Sequence, residues 1–281
     1  MGLVVAVGGG LVACASLPDP AEMRDSLTDV TEVPTAPDAA EDLDADRLPD
    51  PIVEPLECKP YLVITARGTG EPSSGQLLHR VAKTISKARP GEVLTLDLDY
   101  PADTDVAEGG TYGVRLLIDT LNVQAGACPD QRFVLLGYSQ GALVVGDALI
   151  DAAIRLVGPT VGALSDEAAE RILAIVFYGN PRFFGEEPYN SGDYDTATNG
   201  ILPRPFGSLD AYADRMIDFC VAQDFVCQSS MNLDETGHVA YFKNDMREEG
   251  AEFVLDRFDP LPADEGDDAD TADAGTDGGE G

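Results

Sequence analysis

Residues 133–136, Phe-Val-Leu-Leu, lead into Gly137-Tyr138-Ser139-Gln140-Gly141, and the apolar run Ala-Leu-Val-Val-Gly-Asp-Ala-Leu-Ile follows at once over 142–150. A buried strand therefore has to turn into a buried helix within one residue, and that residue is a serine. Such a crossing leaves no space for Cβ atoms on the flanking residues, which explains glycine at 137 and 141. It also forces the serine into strained backbone. The turn lifts the Ser139 hydroxyl clear of the sheet, and the helix start lends its dipole to any negative charge developing there. G-x-S-x-G alone is a weak motif. Set between a strand and a helix of this kind, it marks Ser139 as a nucleophile.

The rest of the pattern fits a sheet around that crossing. Strands are expected at Tyr61–Ala66, Val93–Tyr100, Phe133–Tyr138 and Ile172–Gly179, with a fifth through Arg215–Phe219. Helical spacing appears in Leu77, Leu78, Val81 and Ile85, then in Val114, Leu117, Ile118 and Leu121, and again over 143–151. Val239–Phe258 reads as a closing helix that turns Phe242, Met246, Phe253 and Phe258 toward the sheet. Alternation of this sort predicts an α/β fold with a mainly parallel central sheet flanked by helices.

Charge sets the domain boundaries. The chain carries 51 acidic and 18 basic residues, a formal charge of -33, and a field of that sign argues against nucleic acid as a partner. Residues 15–57 hold 13 acids, 2 bases and seven prolines, and residues 259–281 hold 9 acids and no base. Both flanks are expected to be solvated and disordered, because they carry too little apolar surface to offset the entropy of ordering. Residues 58–258 are the expected folded unit, a monomer.

Residues 3–13 are uncharged and apolar but too short to span a bilayer, so residues 1–14 are expected to be an export signal. Leu11-Val12-Ala13-Cys14 looks like a lipobox, in which Cys14 would be acylated and 15–57 would tether the domain to a membrane. Ala13-Cys14-Ala15 also fits ordinary cleavage and a free secreted form. Apart from Cys14 there are four cysteines, which allow three pairings; Cys58–Cys128 and Cys220–Cys227 are expected. Their spacing fits no common zinc pattern, so disulfides are preferred to metal ligands.

A serine needs a base and an orienting acid. The chain has two histidines, His79 and His238, and the order serine, acid, histidine selects His238 because His79 precedes Ser139. Asp193, Asp195, Asp210, Asp214, Asp218, Asp224 and Asp234 all lie in the interval between. Asp224 stands out, since a Cys220–Cys227 bridge would staple the loop around it.

Five blocks, taken together, resemble the cutinase family and its actinobacterial branch in particular: Ala66-Arg67-Gly68-Thr69-Gly70-Glu71, Cys128-Pro129, Gly137 to Gly141, the Cys220 to Cys227 loop, and His238-Val239-Ala240-Tyr241. The resemblance covers 58 to about 258. It implies a small α/β-hydrolase without a large lid that cleaves carboxylic esters, with Ser139 as nucleophile, Asp224 as acid and His238 as base. It further implies an oxyanion hole from the backbone N–H groups of Thr69 and Gln140, the Thr69 hydroxyl adding a donor. No metal or organic cofactor is called for. Unlike the apolar loop of fungal cutinases, residues 228–237 are polar here, and 183–212 form a longer polar stretch placed to rim the site. The expectation therefore moves from waxy polymer to short or medium acyl esters or envelope lipids, acted on by an exported esterase. An acyltransferase or phospholipase with the same triad, or an inactive envelope-anchored binding protein, are the alternatives.

Overall fold

A computed structural model describes residues 19–29, 41–229 and 234–261. The expected export segment 1–14 with Cys14, and residues 262–281 of the acidic tail, lie outside the described residues.

Six strands pair in parallel in the order β2-β1-β3-β4-β6-β5: β1 Tyr61–Ala66, β2 Val93–Asp97, β3 Arg132–Tyr138, β4 Ile172–Tyr178, β5 Asn190–Ser191 and β6 Met216–Phe219. Strands β1 and β4 are buried along their whole length, as the unbroken apolar runs require of a sheet covered on both faces. On one face α3 (Val106–Ala127) and α4 (Gln140–Leu149) bury Val114, Leu117, Ile118 and Leu121 with Leu143 and Val144. The other face is covered by α2 (Leu77–Ala88) and α7 (Met246–Leu255), which close over Val63, Val134 and Val176. Further helices are α1 (Pro20–Asp29), α5 (Asp166–Glu170) and α6 (Glu235–His238).

Two expectations change. Val239–Phe258 is not one helix. A short 3-10 turn at Ala240–Phe242 stops at Lys243, and α7 restarts at Met246, whose backbone N–H donates to the Asn244 Oδ1 at 3.3 Å. Asn244-Asp245 offers side-chain acceptors that compete with the helical backbone. The four expected residues still face the sheet.

The described parts of 15–57 are largely exposed, as expected, but they are hydrogen-bonded to the domain instead of free of it. Residues 43–57 run along α3, where Arg115 Nη2 donates to the Leu48 and Asp50 carbonyls at 2.9 and 2.8 Å. Asp119 Oδ2 takes the Ile52 N–H at 3.0 Å and Gln124 Oε1 the Leu56 N–H at 2.7 Å. The segment is held through its main chain, which composition does not register. Upstream, α1 buries Met23 and Leu27. Both expected disulfides are formed, and Cys58–Cys128 fastens the end of this segment to the end of α3.

Candidate active site

The elbow has the strain that its sequence demands. Ser139 lies between β3 and α4 with φ 53° and ψ −120°, one of two non-glycine residues with positive φ among the described residues. A Cβ on Gly141 would run into the Ala66 carbonyl oxygen, so only glycine lets α4 start this close to β1. The Ser139 N–H donates to the Tyr178 carbonyl at 2.9 Å, which ties the turn to β4.

His238, the last residue of α6, points its Nε2 at Ser139 Oγ from 2.9 Å. Its Nδ1 lies 2.9 Å from Asp224 Oδ1. A carboxylate only accepts, so Nδ1 carries the proton and the Nε2 lone pair faces the serine hydroxyl. The imidazole is held between rings: Tyr138 is stacked at 5.1 Å between centroids and Phe225 is tilted at 5.6 Å. The Tyr138 hydroxyl donates to the His238 carbonyl at 2.9 Å, fixing the backbone behind the ring.

Asp224 sits inside the loop closed by Cys220–Cys227 and is fully buried. Oδ1 also takes the Val226 N–H at 2.8 Å, and Oδ2 takes the Tyr241 hydroxyl at 2.8 Å. Burial, followed by the adjacent Asp224 charge, pushes the Tyr241 hydroxyl well above its ordinary value, so it remains a donor. Gly179 completes the packing. At φ 55°, a Cβ there would lie 2.8 Å from Asp224 Oδ2 and 2.9 Å from His238 Cε1.

On the other side of the serine, Thr69 Oγ1 donates to Gln140 Oε1 at 2.9 Å, both residues being buried. As the first residue of α4, Gln140 has a backbone N–H with no acceptor within its helix. The Thr69 loop is braced by Glu71, whose Oε2 accepts from the Gly68 N–H at 2.7 Å and Oε1 from the Leu77 N–H at 2.9 Å. Burial pushes the Glu71 carboxyl up, and those two hydrogen bonds oppose the shift.

The structure thus brings Ser139, His238, Asp224, Thr69 and Gln140 together. His79 is elsewhere, with its Nε2 2.8 Å from Asp97 on the flank of α2. Asp195 and Asp234 serve local turns, accepting from the Ala197 and Thr236 N–H groups. Asp218, in β6 two residues before Cys220, is buried and accepts from Asn180 Nδ2 at 2.7 Å. The polar stretch 183–212 buries Phe183, Leu202, Leu209 and Tyr212. It meets the stapled loop through the Ile201 N–H on the Val226 carbonyl and the Asp195 N–H on Gln228 Oε1. Sequence reasoning assigned no role to Gly179, Tyr241 or Glu71. Gly179 had one signal, a glycine directly after the fully apolar strand β4.

The comparisons with known proteins converge on the stretch that builds this site. The family model described as Cutinase matches residues 57–258. A cutinase of Kineococcus radiotolerans is 32% identical over 201 residues, which span 70% of this chain and 61% of that protein. Carboxylesterase Culp1 of Mycobacterium tuberculosis is 26% identical over 204 residues, 72% of this chain and 83% of that one. Among solved structures, the catalytic core domain of acetyl xylan esterase from Trichoderma reesei aligns with a TM-score of 0.62 and 26% identity, over 72% of this chain and all of that domain. With Ser139, the Cys220–Cys227 loop and His238 all inside the matched stretch, the chain belongs to the cutinase family.

Proposed function

We propose that this protein is an exported serine esterase that hydrolyses carboxylic esters of short to medium acyl chains or of envelope lipids. The observation that carries this reading is the continuous chain Ser139 Oγ, His238 Nε2, His238 Nδ1, Asp224 Oδ1, with both heavy-atom gaps at 2.9 Å. That is hydrogen-bonding reach without any rearrangement.

The geometry supports the following steps. Ser139 Oγ attacks the ester carbonyl carbon while its proton passes to His238 Nε2. The carbonyl oxygen gains the negative charge and rests on the N–H groups of Thr69 and Gln140, where the α4 dipole adds to the attraction. The imidazolium is stabilised by Asp224, whose other hydrogen bonds come from the Val226 N–H and the Tyr241 OH. His238 then gives the proton to the leaving alkoxide. Water repeats the sequence on the acyl enzyme and releases the acid. Thr69 Oγ1 swings from Gln140 Oε1 to the oxyanion as a third donor.

Export is supported by the two disulfides, which persist in oxidising compartments. Lipid anchoring through Cys14 is part of the proposal. An ester substrate agrees with the names of the relatives, a cutinase and a carboxylesterase. The test is product analysis with an ester series and a competing alcohol. Free acid as the main product supports hydrolysis, whereas acyl transfer to the alcohol outrunning water would replace this reading with an acyltransferase.

A further inference from the structure

An ester must reach Ser139, yet Ser139 is 0% exposed and His238 1% exposed. The element placed to account for this is α1, which comes from the segment upstream of the catalytic domain. Asp19 caps it through the Ala21 N–H at 2.9 Å, and Pro20 occupies its first position. Ala21, Glu22 and Asp25 face solvent, whereas Met23 and Leu27, one turn apart, are buried at 4% and 0%. The helix is amphipathic with a narrow apolar edge.

Both ends of α1 sit on loops that border the catalytic residues. At its start, Pro20 lines a hollow of about 690 Å³ with Asp234, Thr236, Val239 and Lys243, the residues on either side of His238. At its end, Ser26 and Asp29 line a hollow of about 340 Å³ with Thr104, Asp105 and Val106, where α3 begins. Met23 and Leu27 belong to the large apolar cluster on the α3–α4 face of the sheet, which also includes Ala102, Val106 and Phe225. Phe225 packs on the His238 ring, and the Ala102 carbonyl takes the Gly70 N–H at 2.7 Å, beside Thr69. A ten-residue helix is about 15 Å long, enough to bridge from the base loop to the oxyanion loop.

We propose that α1 is a lid: it lies across the catalytic cleft with Met23 and Leu27 in the place of the substrate's acyl chain, and it leaves when an apolar surface can take them up. The lid is contributed by the segment before the domain and needs no insertion within it. In water, lifting α1 exposes two large apolar side chains together with the cleft, so the closed state dominates. At a lipid–water interface the same surfaces are covered by lipid and the open state gains. The substrate class that follows is an ester presented in an aggregate or membrane surface. This inference rests on the esterase reading.

The test keeps the full chain. A recognition sequence for a site-specific protease is placed within residues 31–39, and the folded protein is studied before and after the cut, with release of the α1 peptide followed by mass. The readouts are the rate of Ser139 labelling by a small fluorophosphonate and the hydrolysis of p-nitrophenyl butyrate below its solubility limit, each with and without detergent micelles. Both rates are expected to rise at least about tenfold on release, the penalty on a site that is open a tenth of the time or less. Micelles should produce a similar rise before the cut and none after it. An uncut Met23→Asp/Leu27→Asp variant should behave like the released protein. Equal or slower labelling after release, with no micelle effect before it, overturns the lid. Failure to label Ser139 in either state, in a protein that keeps its fold, overturns the esterase reading itself, and the lid with it.

Discussion

The Tyr241 hydroxyl donates to Asp224 Oδ2 at 2.8 Å, on the side of the carboxylate opposite His238. Neither group reaches solvent. Tyr241→Phe leaves a buried carboxylate oxygen without its donor, a loss of about 1.5–3 kcal/mol for a hydrogen bond to a charged group. Steady-state kinetics should give kcat lowered about tenfold or more with KM held, and thermal unfolding should give a lower Tm. Unchanged kcat would mean that Val226 and His238 suffice to orient the acid.

Glu71 holds the Thr69 loop by accepting two backbone N–H groups on either side of it. Glu71→Gln replaces one acceptor by an N–H that faces another N–H. The loop then shifts, and the oxyanion donor proposed on it, the Thr69 N–H, is misaligned. Losing one such donor costs about 10²–10³ in kcat, so Glu71→Gln should lower kcat strongly while the affinity for a ground-state ester changes little. An equal loss in kcat/KM through KM alone would assign Glu71 to binding instead.

Asp218 carries a pH dependence of stability. Desolvation pushes its carboxyl from an ordinary 3.8 up to about 7, against the pull of Asn180 and Arg204 and with help from the Glu187 and Asp224 charges. The folded state therefore holds a proton that the unfolded state has lost between about pH 4 and pH 7. Folding stability falls as pH rises through that window, by up to roughly 4 kcal/mol, and levels off above it. Asp218→Asn keeps the acceptor for Asn180 Nδ2 and removes the titration. Urea unfolding at pH 5 and pH 8 should give a smaller difference in the variant than in the wild type; an unchanged difference would place the titrating group elsewhere.

The two disulfides should separate stability from catalysis. Cys58–Cys128 spans 70 residues and lies before β1 and β3, at the opposite end of β3 from Ser139, so its removal as a Cys58→Ser/Cys128→Ser pair costs about 4 kcal/mol in the chain-entropy model with little change in kcat at low temperature. Cys220–Cys227 spans 7 residues around Asp224, and its removal should lower kcat at temperatures where the fold is intact. Similar kinetics for both double variants would show that the acid loop holds its shape without the staple.

Much of this was legible in the sequence because local rules and tertiary packing agree along β3 and α4. The elbow glycines, the apolar strand and the apolar helix each demand the same crossing, and the buried pattern of β1, β3 and β4 follows from their unbroken runs. His238 was legible by elimination between two histidines. Asp224 was one of seven aspartates until the stapled loop and the family resemblance singled it out. What sequence did not carry was main-chain recognition. Residues 43–57 look like a polar linker, but their carbonyl and N–H groups find Arg115, Asp119 and Gln124 on α3. Gly179 matters because Asp224 and His238 pack so close to it that a Cβ has no room, which no pattern records. The break at Asn244-Asp245 was missed because the spacing of Phe242, Met246 and Phe253 is helical on both sides of it.

The central claim is that Ser139 is a nucleophile activated by His238. Intact protein treated with a fluorophosphonate in the presence of micelles, then digested and sequenced by mass spectrometry, tests it most directly. A single adduct on Ser139, greatly slowed in His238→Ala and accompanied by loss of ester hydrolysis, is the expected result. An unmodified Ser139 in a protein that still hydrolyses esters would contradict the account.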